Sequence, residues 1–249
     1  MPILLRTSIF WLTTIFSLLF FFPFIFIFRS RKKAIHKIGK FWGNLLLFVS
    51  GVRLNISGLE NIDPRRSYII MANHQSYHDI FLLLTLPIFI HWMAKRELFR
   101  MPVFGSILKW IDAISIDRTN KSKTYVSIKN AVEKIRSGAT VLIFPEGTRS
   151  PTGDLLPFNK GGFSLAILSR SPILPITIYG THNVMPKGSF MVHPSKVKVL
   201  INPPIETKSL NLRDRDQLRE QVQKLFQRNL TGIKTVSYTH LTLPTKRIV

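Results

Sequence analysis

Cysteine is absent from the chain. That removes disulfides, thiolate metal sites and a cysteine nucleophile, and leaves the redox compartment open. Acidic residues are scarce: 13 Asp and Glu stand against 35 Lys and Arg, a formal charge of +22 at pH 7. Such a balance suits an anionic partner, whether lipid head groups, nucleic acid or a phosphorylated substrate. Nucleic-acid motifs with interleaved aromatics are missing, which argues against a non-catalytic nucleic-acid binder. There is no internal repeat. No small-residue cleavage site precedes the basic cluster Arg29-Ser30-Arg31-Lys32-Lys33, which argues against a cleaved signal peptide.

What is present begins with an apolar excess near the start, in a chain of 249 residues that allows one domain with a well-filled core, or one domain plus an anchoring segment. From Thr7 to Phe28 there are 22 residues without a charge, and about 20 suffice to cross a bilayer as a helix. The basic cluster that follows would stay cytoplasmic under the positive-inside rule. Pro23 lies inside this run, so a kinked, re-entrant or surface-lying pair of helices competes with a true span. A second apolar stretch, Phe41 to Val49, is too short to span and is expected in the membrane interface, with Trp42 at head-group level.

From Val52 onward, short apolar runs alternate with helical patterns. Strands are expected at 53–57, 68–72, 90–94, 113–117, 140–144, 173–178 and 196–201, and helices at 79–86, 96–110, 122–137 and 161–169, with Gly138 as a C-cap. Apolar runs of this length read as strands buried on both faces. The alternation predicts an α/β domain with a largely parallel sheet flanked by helices. Residues 212–230 carry Leu218, Val222, Leu225 and Phe226 at helical spacing, as in a docked amphipathic helix. The stretch Val236 to Thr245 reads as a translated sequencing adaptor, which places the expected native end near Thr235.

In open α/β sheets, ligands collect beyond the carboxyl ends of strands. Four groups fall at such ends: His74, Lys95, Arg118, and the run Phe144-Pro145-Glu146-Gly147-Thr148-Arg149-Ser150. His74 is followed five residues later by Asp79, a spacing that lets a carboxylate orient an imidazole as a general base for a hydroxyl. In the second run Pro145 stops the strand, Gly147 allows close approach, and successive N–H groups can form an anion-binding nest. Arg149 offers a planar fork for phosphate oxygens. Glu146 can hold a hydroxyl or fix one of the arginines. Ser76 lacks a Gly-x-Ser-x-Gly elbow and reads as a helix cap rather than a nucleophile. A metal on His74, His78 and Asp79 lacks a further ligand at suitable spacing, so no metal site is expected.

Four blocks in order carry a resemblance over roughly Val52 to Pro204: Asn73-His74-Gln75-Ser76-Tyr77-His78-Asp79, Ile114-Ser115-Ile116-Asp117-Arg118, Phe144 to Ser150, and Ile173-Leu174-Pro175-Ile176. The segment Ala94-Lys95-Arg96-Glu97-Leu98 adds to them. Together they resemble the 1-acyl-sn-glycerol-3-phosphate acyltransferases, a glycerolipid acyltransferase family. The resemblance implies His74 as general base and Asp79 as its partner, with Arg118, Glu146, Gly147, Thr148 and Arg149 holding the glycerol phosphate. It also implies Lys95 as a second phosphate ligand and Pro175 as a residue shaping the acceptor pocket. Ser115 stands where an aromatic is common in the family, which bears on acceptor or acyl-chain preference.

The implied partners are lysophosphatidic acid, an acyl-CoA or acyl carrier protein as co-substrate, and anionic membrane lipids, with no cofactor and no nucleic acid. The implied place is the cytoplasmic face of a bacterial inner membrane or its equivalent. The expected division is an anchor over 1–50, an acyltransferase domain over 51–235 and a non-native tail over 236–249. Rival readings are the same transfer onto another lysolipid, and a basic membrane-binding protein without catalysis.

Overall fold

The computed structural model describes residues 1–27, 32–102, 104–117 and 121–239. Arg118 therefore lies outside the described residues, as do most of the basic cluster after the first apolar run and the last ten residues.

Seven short runs, each close to its expected position, form one sheet: β1 (Arg53–Ser57), β2 (Ile69–Ala72), β3 (Ile90–Lys95), β4 (Ile114–Ile116), β5 (Thr140–Ile143), β6 (Ile173–Tyr179) and β7 (Lys196–Ile201). The order is β1-β7-β6-β2-β5-β3-β4, and every neighbouring pair is parallel except β6 with β7. The sheet is thus mixed and largely parallel, as expected. β2 is buried along its whole length because both faces are covered. Ile70 and Ala72 join the core made with α1 (Ile3–Ile27), α2 (Lys32–Val49) and α3 (His78–Leu84). Ile69 and Met71 join the opposite core, made with α5 (Lys121–Arg136), α6 (Gly161–Ser169) and α8 (Arg215–Thr239).

Four expectations change. The helix expected over 96–110 is broken into a 3₁₀ segment, Arg96–Arg100, and α4 (Phe104–Trp110). Pro102 lies between them, lacks a donor and pushes the residue before it out of helical conformation. A short helix, α7 (Thr181–Val184), follows β6 where none was expected. The C-terminal helix is longer than its apolar spacing suggested. It is preceded by a 3₁₀ turn capped reciprocally by Asn211 and Asp214, and it runs to Thr239, into the segment read as adaptor.

The N-terminal helices carry the fourth change. α1 continues through Pro23, and its stretch Ile3–Phe20 is long and apolar enough to cross a membrane, with only 11% of it buried. Its narrow inner stripe is anchored. Phe10 is buried, the Trp11 indole donates to the Phe190 carbonyl at 3.0 Å, and the Val192 amide donates to Thr7 Oγ1 at 3.0 Å. The apolar stretch 41–49 is the second half of α2, docked on α3. Gly43 makes that docking possible, since a Cβ there would stand 2.5 Å from the Phe81 carbonyl oxygen. Trp42 turns its indole to Ser17 Oγ on α1 at 2.8 Å and its ring edge to Phe81. Phe41 and Phe48 remain exposed on the outer side, continuous in character with Leu12, Phe16 and Leu19 of α1.

Candidate active site

The register across the sheet sets the site. Met71 pairs with Ile143, Trp92 with Leu142, and Lys95 with Ile116. Three residues beyond Met71 and Ile143 are His74 and Glu146, and three beyond Trp92 is Lys95. The chain therefore leaves β2, β5 and β3 at one height, with β2 and Lys95 about 10 Å apart across two strand spacings. Sequence reasoning placed these groups at strand ends; the topology makes the ends neighbours.

Asn73 holds the chain as it leaves β2. The β2–β6 ladder reaches Ala72 opposite Ile176. Beyond it the Asn73 side chain takes over, donating to the Ile178 carbonyl at 2.8 Å and accepting from the Ile178 amide at 2.7 Å. This buried amide completes a backbone ladder with side-chain atoms and fixes where His74 starts. The motif alone does not signal this role, because the partner of Asn73 lies 105 residues away.

His74 and Asp79 meet as expected. Nδ1 of His74 lies 2.8 Å from Asp79 Oδ2, and the same oxygen accepts the amides of Gln75 at 2.7 Å and Ser76 at 2.9 Å. The carboxylate is fully buried in the first turn of α3. With Nδ1–H donated to the carboxylate, Nε2 carries the lone pair. The ring lies flat on Phe144, with centroids 3.8 Å apart and planes within 12°. Phe144 was read as a strand end; its service as a platform for the imidazole had no signal in the spacing.

Glu146 differs from its expectation of a hydroxyl ligand or arginine partner. Oε1 accepts the His74 amide at 2.7 Å and Oε2 accepts the Leu156 amide at 2.9 Å. Both oxygens thus tie loops together from inside. Burial pushes its carboxyl up to about 7, against the lowering effect of those two amides. Gly147 takes φ +75°, the left-handed turn that only glycine adopts freely. The nest is narrower than expected. The Gly147 amide bonds to the Phe144 carbonyl and the Ser150 amide to the His74 carbonyl, leaving those of Thr148 and Arg149 without partners among the described residues.

Arg149 lays its guanidinium over the Tyr77 ring, 3.8 Å from the centroid, and its buried Nη1 has no partner among the described residues. A buried donor of a charged group without an acceptor marks a place for an anion. Tyr77 is a site residue that the motif contained and the reading passed over. Lys95 is exposed at the end of β3, while its neighbour Arg96 pairs with Asp117 at 2.6 Å. Pro175 lies within β6 opposite Met71, on the side of the sheet covered by α6 and α8, so it reaches the site only through the strand. Ser76 donates to the Met185 carbonyl at 2.8 Å and accepts from the His78 amide at 3.3 Å, close to its expected capping role. His78 is buried against Phe10 of α1, with Nε2 2.8 Å from Ser50 Oγ at the end of α2, and burial lowers its pKa to about 4. It is therefore a neutral packing group at pH 7. Among the described residues no three of His, Asp and Glu gather as metal ligands.

Residues 53–179 match a family model described as Acyltransferase. The chain is 35% identical over 186 residues to a chloroplastic 1-acyl-sn-glycerol-3-phosphate acyltransferase of Brassica napus, aligned over 74% of this chain and 54% of that protein. It is 31% identical over 222 residues to the 1-acyl-sn-glycerol-3-phosphate acyltransferase of Pseudomonas aeruginosa, covering 88% of this chain and 86% of the other. The chain thus spans about half the length of the Brassica relative and most of the Pseudomonas one. The crystal structure of the 1-acyl-sn-glycerophosphate acyltransferase PlsC from Thermotoga maritima superposes with a TM-score of 0.82 and 28% identity, over 93% of this chain and 96% of that one. With a family model over half its length and the dyad and anion loop in place, the chain belongs to the acyltransferase family.

Proposed function

We propose that this protein transfers an acyl group from acyl-CoA or acyl carrier protein to the sn-2 hydroxyl of lysophosphatidic acid, forming phosphatidic acid for phospholipid biosynthesis. The observation that carries the reading is the His74–Asp79 pair at 2.8 Å, beside a loop whose Arg149 keeps an unpartnered donor. Nε2 of His74 takes the proton from the acceptor hydroxyl as its oxygen attacks the thioester carbon, and Asp79 stabilises the imidazolium. The carbonyl electrons return as the carbon–sulfur bond breaks, and the departing thiolate takes the proton from the imidazolium and leaves as the free thiol of CoA or carrier protein. Arg149 and Lys95, with Arg118, hold the phosphate of the acceptor. Base assistance of this kind contributes about 10²–10⁴-fold, and positioning supplies much of the remainder. No acyl-enzyme is required.

In this reading residues 1–50 anchor the protein in a membrane on its cytoplasmic side, with the apolar outer faces of α1 and α2 toward lipid. The experiment incubates the full chain in lipid with labelled lysophosphatidic acid and acyl-CoA, then separates products by thin-layer chromatography. Phosphatidic acid is expected from the wild type and not from His74→Ala. Equal product from both would end the proposal.

A further inference from the structure

The turn after α7 brings a cation to the site that no motif contains. Lys187 Nζ donates to Thr148 Oγ1 at 3.2 Å, directly beside Arg149 in sequence. The turn is tied to the dyad segment from below, because the Ser76 hydroxyl bonds to the Met185 carbonyl at 2.8 Å and Met185 is buried. It closes on itself through the Ser189 amide and the Pro186 carbonyl at 3.1 Å. Its far end rests on α1, where the Trp11 indole bonds to the Phe190 carbonyl, and the Phe190 side chain stands 69% exposed beside the apolar outer face. One short loop thus runs from the apolar N-terminal helix to the rim of the anion loop.

The charges around this rim do not balance. Both oxygens of Glu146 face backbone amides, and Asp79 Oδ2 faces the imidazole and two amides, so neither carboxylate is directed to Arg149 or Lys187. Among the described residues Lys187 has no acidic partner. An ammonium carries three donors, and the Thr148 hydroxyl takes one. Cations gathered without counter-charge repel one another until an anion joins them.

We propose that Lys187 is a further phosphate-binding residue of the acyl acceptor site, gripping the phosphomonoester from the rim beside Thr148 while Phe190 keeps the loop at the lipid surface. This rests on the acceptor reading given above. A phosphate could also come from the donor's nucleotide, and the experiment separates the two sources. It uses the full chain, as Lys187→Ala and Lys187→Arg, in mixed lipid–detergent micelles.

With acyl-CoA saturating, Lys187→Ala is expected to raise KM for lysophosphatidic acid about tenfold, the scale of one lost charge-assisted hydrogen bond. The KM for acyl-CoA should not move, and Lys187→Arg should restore most of the acceptor affinity. A second measurement needs no turnover. In a His74→Ala background, Lys187→Ala should weaken equilibrium binding of lysophosphatidic acid about tenfold and leave binding of 1-acylglycerol, which lacks the phosphate, unchanged. Acceptor affinity within about twofold of the parent by either measure overturns the assignment, as does an effect confined to the acyl-CoA KM. Absence of acyl transfer by the wild type, with the binding difference intact, would instead count against the catalytic reading.

Discussion

Replacing Asp79 by Asn isolates what the carboxylate charge does, because the structure leaves room for the swap. Oδ2 accepts three N–H groups, whereas the other oxygen, Oδ1, is buried without a partner. The amide oxygen of Asn can take the first position and its NH₂ the second, so the loop keeps its acceptor and the ring keeps its orientation. The amide nitrogen then sits buried without an acceptor, which costs about 1–3 kcal/mol of stability.

The catalytic loss is larger. An imidazolium and a carboxylate with charge centres about 4 Å apart, at an effective dielectric of about 20, attract by about 4 kcal/mol. That attraction exists only once the proton has moved to His74, so it belongs to the transition state and its loss appears in kcat. At about 1.4 kcal/mol per decade, the expected fall is about a thousandfold. The assay is initial-rate formation of phosphatidic acid with both substrates saturating, alongside far-ultraviolet circular dichroism and a thermal melt. A folded Asp79→Asn protein with kcat within about tenfold of the wild type would refute the argument that the pair works through charge.

Other consequences can be checked more briefly. Arg149→Lys should raise the acceptor KM by about tenfold or more with a smaller change in kcat, since an ammonium cannot combine the flat stack on Tyr77 with a forked grip on phosphate; steady-state kinetics on lysophosphatidic acid test this. Glu146 makes stability fall with rising pH. Its folded value is raised from 4.5 to about 7, so the stabilisation is full below the lower value and lost as pH passes the upper one, to the extent of about 3 kcal/mol. Denaturant unfolding between those two pH values should show the slope, and Glu146→Gln should flatten it. Gly43→Val should lift α2 from α3 at a cost of about 1–3 kcal/mol, read as a lower melting temperature, because even its Cβ meets the Phe81 carbonyl.

Much of this architecture was written in local patterns. Runs such as Ile69 to Ala72 and Val141 to Phe144 are apolar throughout because both sheet faces are covered, and that leaves a clear mark on the sequence. The dyad was legible for the same reason: five residues separate its members, and the bend from β2 into α3 is local. What escaped depends on distant partners. Asn73 finds its ladder on β6, Glu146 turns to the amides of His74 and Leu156 rather than outward, and Lys187 arrives on a turn 39 residues from Thr148. The docking of the Phe41 to Val49 stretch on α3 escaped for a related reason. Its decisive residue is Gly43, whose lack of a side chain says nothing until α3 is seen against it.

The contact of His78 with Phe10 and Ser50 has a practical consequence. A truncated protein starting at Gly51, made to gain solubility, would strip away the Phe10 ring and the Ser50 hydroxyl that this imidazole leans on, one residue before Asp79. The N-terminal helix pair is therefore less a mooring line than the floor beneath the His74–Asp79 segment, and the α/β domain is expected to fail as a free-standing fragment.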